Sequence, residues 1–398
     1  MVDELIALSV EARIANSLIF NLQKPFFATK KHYLCFSQSI TMEQRAYYSL
    51  REVTEMICND RVLVLTALDE VLAQLPTGNW IGGIANQPEI TYNDEGEPLL
   101  IQVNDLTKWV RNVHINSYQS FNFESIEKDS FANGFSIICI PAFSSVHLSY
   151  AIYSATTPTV QHPIIGWIAG YECGMPEMRE SVVVDGGTGE FYSERVVVLH
   201  CALHDEYKVW YDVINPYIPD FNKPRFKFPN ASFNISDCSV IEDETDEKKL
   251  QDEALNNAPS ARVSFRQYAA THNIPIDAET TLITQLHGEY TTTSILISAI
   301  GKTLVLATPV IPGLSYYIGK HTEGEDSLFA VNADSVIFSV NCLYVPQPSP
   351  YSITAYGEIA RFIYNHVAVR LHITYSLATI FKEDLQPNGL IVTEATNV

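Results

Sequence analysis

Two short segments of similar sequence, each with one tryptophan among glycines, constrain the fold of this chain most strongly. The first is Gly78–Ala85 and the second is Ile165–Tyr171, and the distance from Trp80 to Trp167 is 87 residues. Glycines allow a backbone or a ligand to approach closely, and an indole ring supplies a flat contact surface. Because the pattern occurs twice, we expect two related structural units.

The surroundings of both segments predict the same order of elements, a strand, a helix and a strand, which is typical of layered α/β proteins. The first unit is predicted as a helix over Met42–Cys58, a strand over Arg61–Ala67, a short helix over Leu68–Gln74 and a strand over Trp80–Ala85. The second is predicted as a strand over Gly134–Ile140, a helix over Val146–Ala155 and a strand over Ile164–Gly170.

The rest of the chain reads mainly as strands. We predict that Ser181–Glu190, which ends in a glycine-rich turn, forms a hairpin with the apolar strand Arg195–Leu203. Further strands are predicted over Thr281–Leu286, Ser294–Ile300, Thr303–Ala307, Ser335–Val345 and Val367–Tyr375, and a helix over Ile353–Tyr364.

Charge and composition exclude several classes of function. The 398 residues carry a formal net charge of -21, which repels nucleic acid and anionic membrane surfaces. No apolar run reaches the ~20 residues that span a bilayer, and the first residues are acidic where a signal peptide is basic. The seven cysteines are scattered, which is typical of reduced thiols. We therefore expect a soluble cytoplasmic protein.

An acidic segment interrupts the strand-rich pattern. Residues 242–257 combine many carboxylates with few apolar side chains and are followed by Pro259. This composition predicts an exposed insertion or linker that is solvated and has no partner.

Two groups of reactive side chains are candidates, one for a metal site and one for a nucleophile. His200, Cys201 and His204 combine metal-ligand types, but on a strand the first two point to opposite faces and the two histidines lie about 13 Å apart. Cys173 is a candidate nucleophile, yet the neighbouring Glu172 favours the protonated thiol. We therefore predict neither a metal site nor a catalytic residue, and the question of enzymatic activity leans to no.

The order of elements, with Leu75–Gly83 reading LPTGNWIGG, resembles the N-terminal half of the FIST family of sensory domains. Ser339–Cys342, then Ala355–Ala360 and Asn365–His366, resemble the C-terminal FIST half. The LPxGNWIGG motif is also similar to that of an uncharacterised bacterial family related to FIST in layout.

This resemblance implies a mixed α/β (α+β) fold with two layered halves, each a mixed sheet covered by helices. It divides the chain into an N-terminal extension at 1–47, a FIST N-like half at 48–240, the acidic segment at 241–260 and a FIST C-like half at 261–398. FIST domains are intracellular sensors of small ligands, so the resemblance implies a sensor that signals through a separate partner protein.

Haem is a secondary alternative that the resemblance suggests, because FIST-type proteins include some regarded as haem-binding. A single histidine can hold haem iron. His147, at the start of a predicted helix, and His366, beside the last predicted strand, are the candidates. We otherwise expect no cofactor.

The two tryptophan segments are expected to end near each other and to form a ligand cleft with the Tyr-Gly-Glu element of the C-terminal half. Aromatic groups on one side and carboxylates on the other favour a small cationic or zwitterionic ligand, such as an amino acid. A self-assembling structural protein, with homo-oligomers, is the alternative. The predicted ligand-binding residues are Asn79, Trp80, Gly82, Gly83, Trp167, Tyr171, Glu172, Tyr356, Gly357 and Glu358.

Overall fold

The structure, a computed structural model, is strand-rich with short helices on the sheets. It describes residues 47–84, 90–157, 162–170, 180–255, 262–276, 280–298, 303–322, 336–342, 352–355, 357–364 and 367–376. The helices in these ranges are Leu50–Cys58, Asp69–Leu72, Glu124–Lys128, Ser145–Thr156, Glu244–Leu255 and Phe265–Thr271. None of these helices is long and apolar enough to cross a membrane.

The described ranges contain strands β1 to β27. In chain order they are Tyr47–Tyr48, Leu63–Thr66, Trp80–Gly83, Thr91–Tyr92, Pro98–Leu99, Ile101–Asp105, Val110–Tyr118, Gly134–Pro141, Ile164–Ala169, Val183–Asp185, Glu190–Tyr192, Val196–Leu203, Tyr207–Ile214, Tyr217–Pro219, Arg225–Lys227, Ser232–Ile235, Asp237–Ile241, Val263–Ser264, Thr281–Leu286, Glu289–Ser298, Leu304–Val310, Tyr316–His321, Val336–Cys342, Ser352–Ala355, Gly357–Ile359, Ile363–Tyr364 and Ala368–Tyr375.

Four sheets organise these strands. The first has the order β1-β6-β2-β3-β10-β11 and the second β26-β25-β9-β8-β12-β7. The third has the order β13-β27-β23-β24, and the fourth runs β16-β21-β20-β19-β22-β15-β17-β18, with β14 paired to β22. Strands β4 and β5 form a separate two-stranded sheet.

Both predicted strand-helix-strand units are confirmed. Strands β2 and β3 pair in parallel around helix Asp69–Leu72, and strands β8 and β9 pair in parallel around helix Ser145–Thr156. The connecting helices are the crossovers that parallel neighbours require. The duplicated tryptophan segments therefore occupy equivalent strands, β3 and β9, of two sheets.

The first helix begins later than we predicted. It starts at Leu50 instead of Met42, because Ser49 is an N-cap whose side chain accepts a hydrogen bond from the Glu52 backbone. The Glu52 carboxylate accepts one in return from the Ser49 N–H, which completes a capping box. Tyr47 and Tyr48 precede this cap and pair as β1 with β6.

Two other predictions were wrong in pairing or type. Val183–Asp185 forms its hairpin with Glu190–Tyr192 in the first sheet, whereas Val196–Leu203 lies in the second sheet between β7 and β8. The predicted helix over Ile353–Tyr364 is replaced by the short strands β24, β25 and β26. There the neighbouring strands β9 and β23 supply hydrogen-bond partners and override the local helical pattern.

The acidic segment, which we predicted as an exposed insertion or linker, lies between two strands of the fourth sheet. It contains helix Glu244–Leu255, which connects the paired strands β17 and β18. Glu247 forms ion pairs with Arg225 at 3.0 Å and with Lys227 at 3.4 Å, both on β15. The helix therefore contacts the fourth sheet through the ion pairs of Glu247.

The largest core lies where the first three sheets meet. It includes Val64 and Ile81 from the first sheet, Phe135 and Trp167 from the second and Phe338 from the third. Strands from both sides of residues 241–260 share sheets, since β13 pairs with β27 and β9 pairs with β25. The second and third sheets therefore combine strands from both sides of this segment.

Candidate functional site

The structure brings the two tryptophan strands together, as we expected from their similarity. The N–H of Gly170, just after β9, donates to the carbonyl of Ile84, just after β3, at 3.1 Å. A β-carbon added to Gly83 would lie 3.2 Å from Cζ2 of Trp167 and 2.5 Å from Sγ of Cys139. Gly83 therefore permits the close approach of the first and second sheets.

Both tryptophans are interior residues in this arrangement. Trp80 is 1% exposed and Trp167 is 0% exposed. The Trp80 indole N–H donates to the Pro76 carbonyl at 2.9 Å, and the Trp167 ring packs toward Phe338. Their side chains stabilise the junction of the sheets instead of lining an open cleft.

The C-terminal part of the predicted site lies beside the second tryptophan. Glu358 and Trp167 are register partners in the antiparallel pair of β25 and β9, and Gly357 faces Ile168. The Asn79 carbonyl accepts a hydrogen bond from Leu63, and Gly82 pairs with Leu65 in β2. Tyr171, Glu172 and Tyr356 lie outside the described residues, so ligand binding at this place stays a prediction.

The histidine and cysteine cluster on β12 does not converge on one point. Cys201 packs in the main core, where burial raises the pKa of its thiol, while His200 faces Tyr118 and Ser136 on the opposite side of the sheet. His204 lies beyond the strand, where its N–H donates to the Trp109 carbonyl. The described residues contain no cluster of three side chains that could hold a metal ion.

His147, the first haem candidate, is fully buried on helix Ser145–Thr156. Its Nδ1 accepts a hydrogen bond from the Phe143 N–H at 3.2 Å, and its ring lies 4.7 Å from that of Phe233. Burial lowers the pKa of His147 to about 3. Haem ligation would require the ring to leave this setting. His366 and Cys173 lie outside the described residues.

A candidate site is a cleft between the edge strand β13 and the strands β14 and β20. Its volume is about 540 Å³, within the range of small-molecule sites. We call it the tyrosine cleft. Its lining residues are Tyr211, Asp212, Val213, Asn215, Tyr217, Ile218, Glu289 and Tyr290.

The walls of the tyrosine cleft are fixed by the backbone and by Asn215. The Asn215 amide donates to the Tyr290 carbonyl at 3.4 Å, and its oxygen accepts from the Tyr217 N–H at 3.0 Å. One side chain thus ties together the three strands that carry the tyrosines. These two hydrogen bonds fix the backbone beside Tyr217 and Tyr290.

Each of the two carboxylates of the cleft has a side-chain partner. Asp212 accepts a hydrogen bond from Nε2 of His372 at 3.0 Å, and the buried His372 ring stacks on Trp210 with centroids 3.9 Å apart. Glu289 lies 3.7 Å from the guanidinium of Arg361. Burial, followed by the charge of Glu289, raises the pKa of Tyr211. The cleft therefore offers two carboxylates, with a cation beside one of them.

The tyrosine cleft was not predicted from the sequence, because no strand was predicted over Tyr207–Ile214, which forms one of its walls. The available signal is the alternation in its sequence, where Tyr207, Val209, Tyr211 and Val213 share one face of a strand and Lys208 and Asp212 the other. Two acid-tyrosine neighbours, Tyr211-Asp212 and Glu289-Tyr290, mark the two walls. Their proximity depends on long-range pairing and has no local signature.

The fold and the cleft together define a strand-rich α/β protein with a candidate small-molecule site. The chain belongs to a family of unknown function, DUF6976, whose model matches residues 48–374. No curated protein and no solved structure matches the chain.

Proposed function

We propose that this protein is a cytosolic sensor that binds a small cationic or zwitterionic ligand, such as an amino acid, in the tyrosine cleft. The observation that carries the proposal is one open cavity of about 540 Å³ where three tyrosines and two carboxylates meet. This is the combination of groups that we expected for the ligand, at a different place in the fold.

The chemistry of the lining favours a ligand with a positive charge. Aromatic faces attract a cation by roughly 0.5–2 kcal/mol each, and a carboxylate adds a charge-assisted hydrogen bond. Asp212 is one of the lining residues, and its carboxylate is held by the hydrogen bond from Nε2 of His372. Arg361 beside Glu289 gives a second charge of opposite sign, which suits the carboxylate of a zwitterion.

The wider relationships remain part of the proposal. We propose that the protein is related to the FIST sensory domains, with their two-halved layering, and that it signals through a separate partner protein. The contact between the ends of the two tryptophan strands and the pairing of β9 with β25 support this relationship.

Binding can be tested by calorimetry on the full chain with arginine, lysine, leucine, glutamate and tetramethylammonium as probes. We expect basic or zwitterionic amino acids to bind, and glutamate to bind least because the cleft is acidic. Asp212→Asn should weaken binding at least tenfold, since it removes one charged contact worth about 1.4 kcal/mol or more.

Asp205→Asn is the matched control. Asp205 is an exposed aspartate in the turn just before β13, where it forms an ion pair with Arg111 at 2.7 Å. It should leave binding unchanged. Binding that survives Asp212→Asn undiminished, or that is strongest for glutamate, would contradict the proposed site.

A further inference from the structure

Five polar side chains form one continuous hydrogen-bonded series across strands β7, β8 and β12. We call it the histidine chain. From one end to the other the distances are 3.0 Å from His162 Nε2 to Ser136 Oγ, 2.8 Å from Ser136 Oγ to His200 Nδ1, 2.8 Å from His200 Nε2 to Tyr118 Oη and 2.8 Å from Tyr118 Oη to Asp129 Oδ2.

The histidine chain is shielded in the middle and open at both ends. Ser136 and His200 are 0% exposed and Tyr118 is 2% exposed. His162 and Asp129 are only half-buried, so each end is within reach of water. The series therefore connects two solvent-accessible groups through the interior.

The donors and acceptors of the chain can be assigned from its acidic end. The Asp129 carboxylate can only accept, so the Tyr118 hydroxyl donates to it. The Tyr118 oxygen then accepts from His200 Nε2–H. Burial, helped by the nearby His114, lowers the pKa of His200 to about 3, so this ring is neutral at pH 7.

The remaining links follow from the neutral state of His200. Its Nδ1 has no proton and accepts from the Ser136 hydroxyl, and the Ser136 oxygen accepts from His162 Nε2–H. Every donor in the chain thus points toward Asp129. Each link holds a single proton, which is the arrangement that permits a proton to be passed along.

The groups around the chain keep its central ring neutral. The His114 ring on β7 lies against His200 with centroids 4.6 Å apart. Asn116, also on β7, donates to Asp129 at 3.2 Å. Burial lowers the pKa of His162, against the smaller raising effects of the charge of Glu127 and of a hydrogen bond to the Phe135 backbone. A positive charge on His200 would be buried and close to the His114 ring, so an added proton does not rest on His200.

We propose that the histidine chain is a proton relay between His162 and Asp129. A proton from solvent binds His162 at Nδ1, and the Nε2 proton passes to Ser136. Ser136 passes its proton to His200 Nδ1, His200 passes its Nε2 proton to Tyr118, and Tyr118 passes its proton to Asp129. One N–H or O–H bond breaks and one forms at every link, and all donors finish in the reverse orientation.

The relay is distinguishable from a fixed structural network by the tautomers of its histidines. The test is a set of long-range proton–nitrogen NMR spectra of the full chain, labelled with ¹⁵N-histidine, across the titration of Asp129. We expect His162 and His200 both to carry Nε2–H at neutral pH. As Asp129 is protonated, both should convert together to Nδ1–H, without a His200 imidazolium signal.

Asp129→Asn keeps an acceptor for Tyr118 but cannot take up the proton, so it should abolish the joint conversion. Ser136→Ala should let the two histidines titrate independently. Glu127→Gln, a neighbouring carboxylate outside the chain, is the control and should retain the conversion. The relay is refuted if His200 keeps Nε2–H while Asp129 titrates, or if Asp129→Asn behaves as the wild type. Should Ser136→Ala fail to fold, Asp129→Asn still decides the question.

Discussion

Glycines determine how closely neighbouring strands of this protein approach each other. Gly166 on β9 pairs with Ile138 on the parallel neighbour β8. A β-carbon added to Gly166 would lie 1.8 Å from the Ile138 carbonyl oxygen, a main-chain atom that cannot turn aside. The absence of a side chain is therefore a requirement of the sheet at this position.

We predict that Gly166→Ala lowers the free energy of unfolding by about 3 kcal/mol, the upper part of the usual range for overpacking. Chemical denaturation of both proteins measures the difference. Gly187→Ala is the control, because this exposed turn glycine has only side-chain neighbours, at 3.1 and 3.7 Å. An equal loss in the two variants would show that the Ile138 contact is not responsible.

At the scale of elements, the acidic helix Glu244–Leu255 is held to the fourth sheet by charge. Glu247 contacts both Arg225 and Lys227, and the three side chains are 25–30% exposed. Ion pairs with this exposure are screened by salt and contribute modestly. The helix is a peripheral element whose attachment depends on ionic strength.

We predict that Glu247→Gln costs about 1 kcal/mol at low ionic strength and less in 1 M salt, because it removes both ion pairs. Urea denaturation at two salt concentrations measures the effect. Glu244→Gln, at the exposed start of the same helix, is the matched control and should be neutral at both. A loss that is independent of salt would assign the contact to packing.

Strands that consist of long apolar runs could be predicted from the sequence. Strands that form only because they pair with a distant segment could not. Val196–Leu203 and Gly134–Pro141 are long runs of β-branched and apolar residues, so both were recognised as strands. Gly357–Ile359 follows no such run and is a strand because β9 pairs with it. The tyrosine cleft escaped notice for the same reason, since Asn215 and Tyr290 meet across 75 residues of chain.

For the molecule as a whole, buried neutral histidines tie stability to pH. Burial lowers the pKa of both His147 and His200 to about 3. An unfolded chain binds protons at these histidines near pH 6.5, whereas the folded chain does not. The unfolded state therefore gains protons first, and the stability present above pH 6.5 is lost as the pH falls toward 3.

We predict a melting temperature that falls between pH 6.5 and 4, with a slope that His147→Leu reduces. Replacing the titrating ring removes its share of the proton uptake on unfolding, even where the variant is less stable at pH 7. Calorimetric scans across the pH series measure the slope. His272→Gln, at an exposed histidine, is the control, and a slope unchanged by His147→Leu would contradict the assignment.

The third sheet also dictates when the chain can finish folding. Strand β13 bonds along its full length to β27, and Asp212 and His372 are 160 residues apart. Contacts between such distant residues form slowly, and these contacts require β27 to be available. During synthesis, β13 must therefore leave the ribosome long before its partner exists, with Val209 and Tyr211 uncovered. The third sheet cannot be completed until β27 has been synthesised.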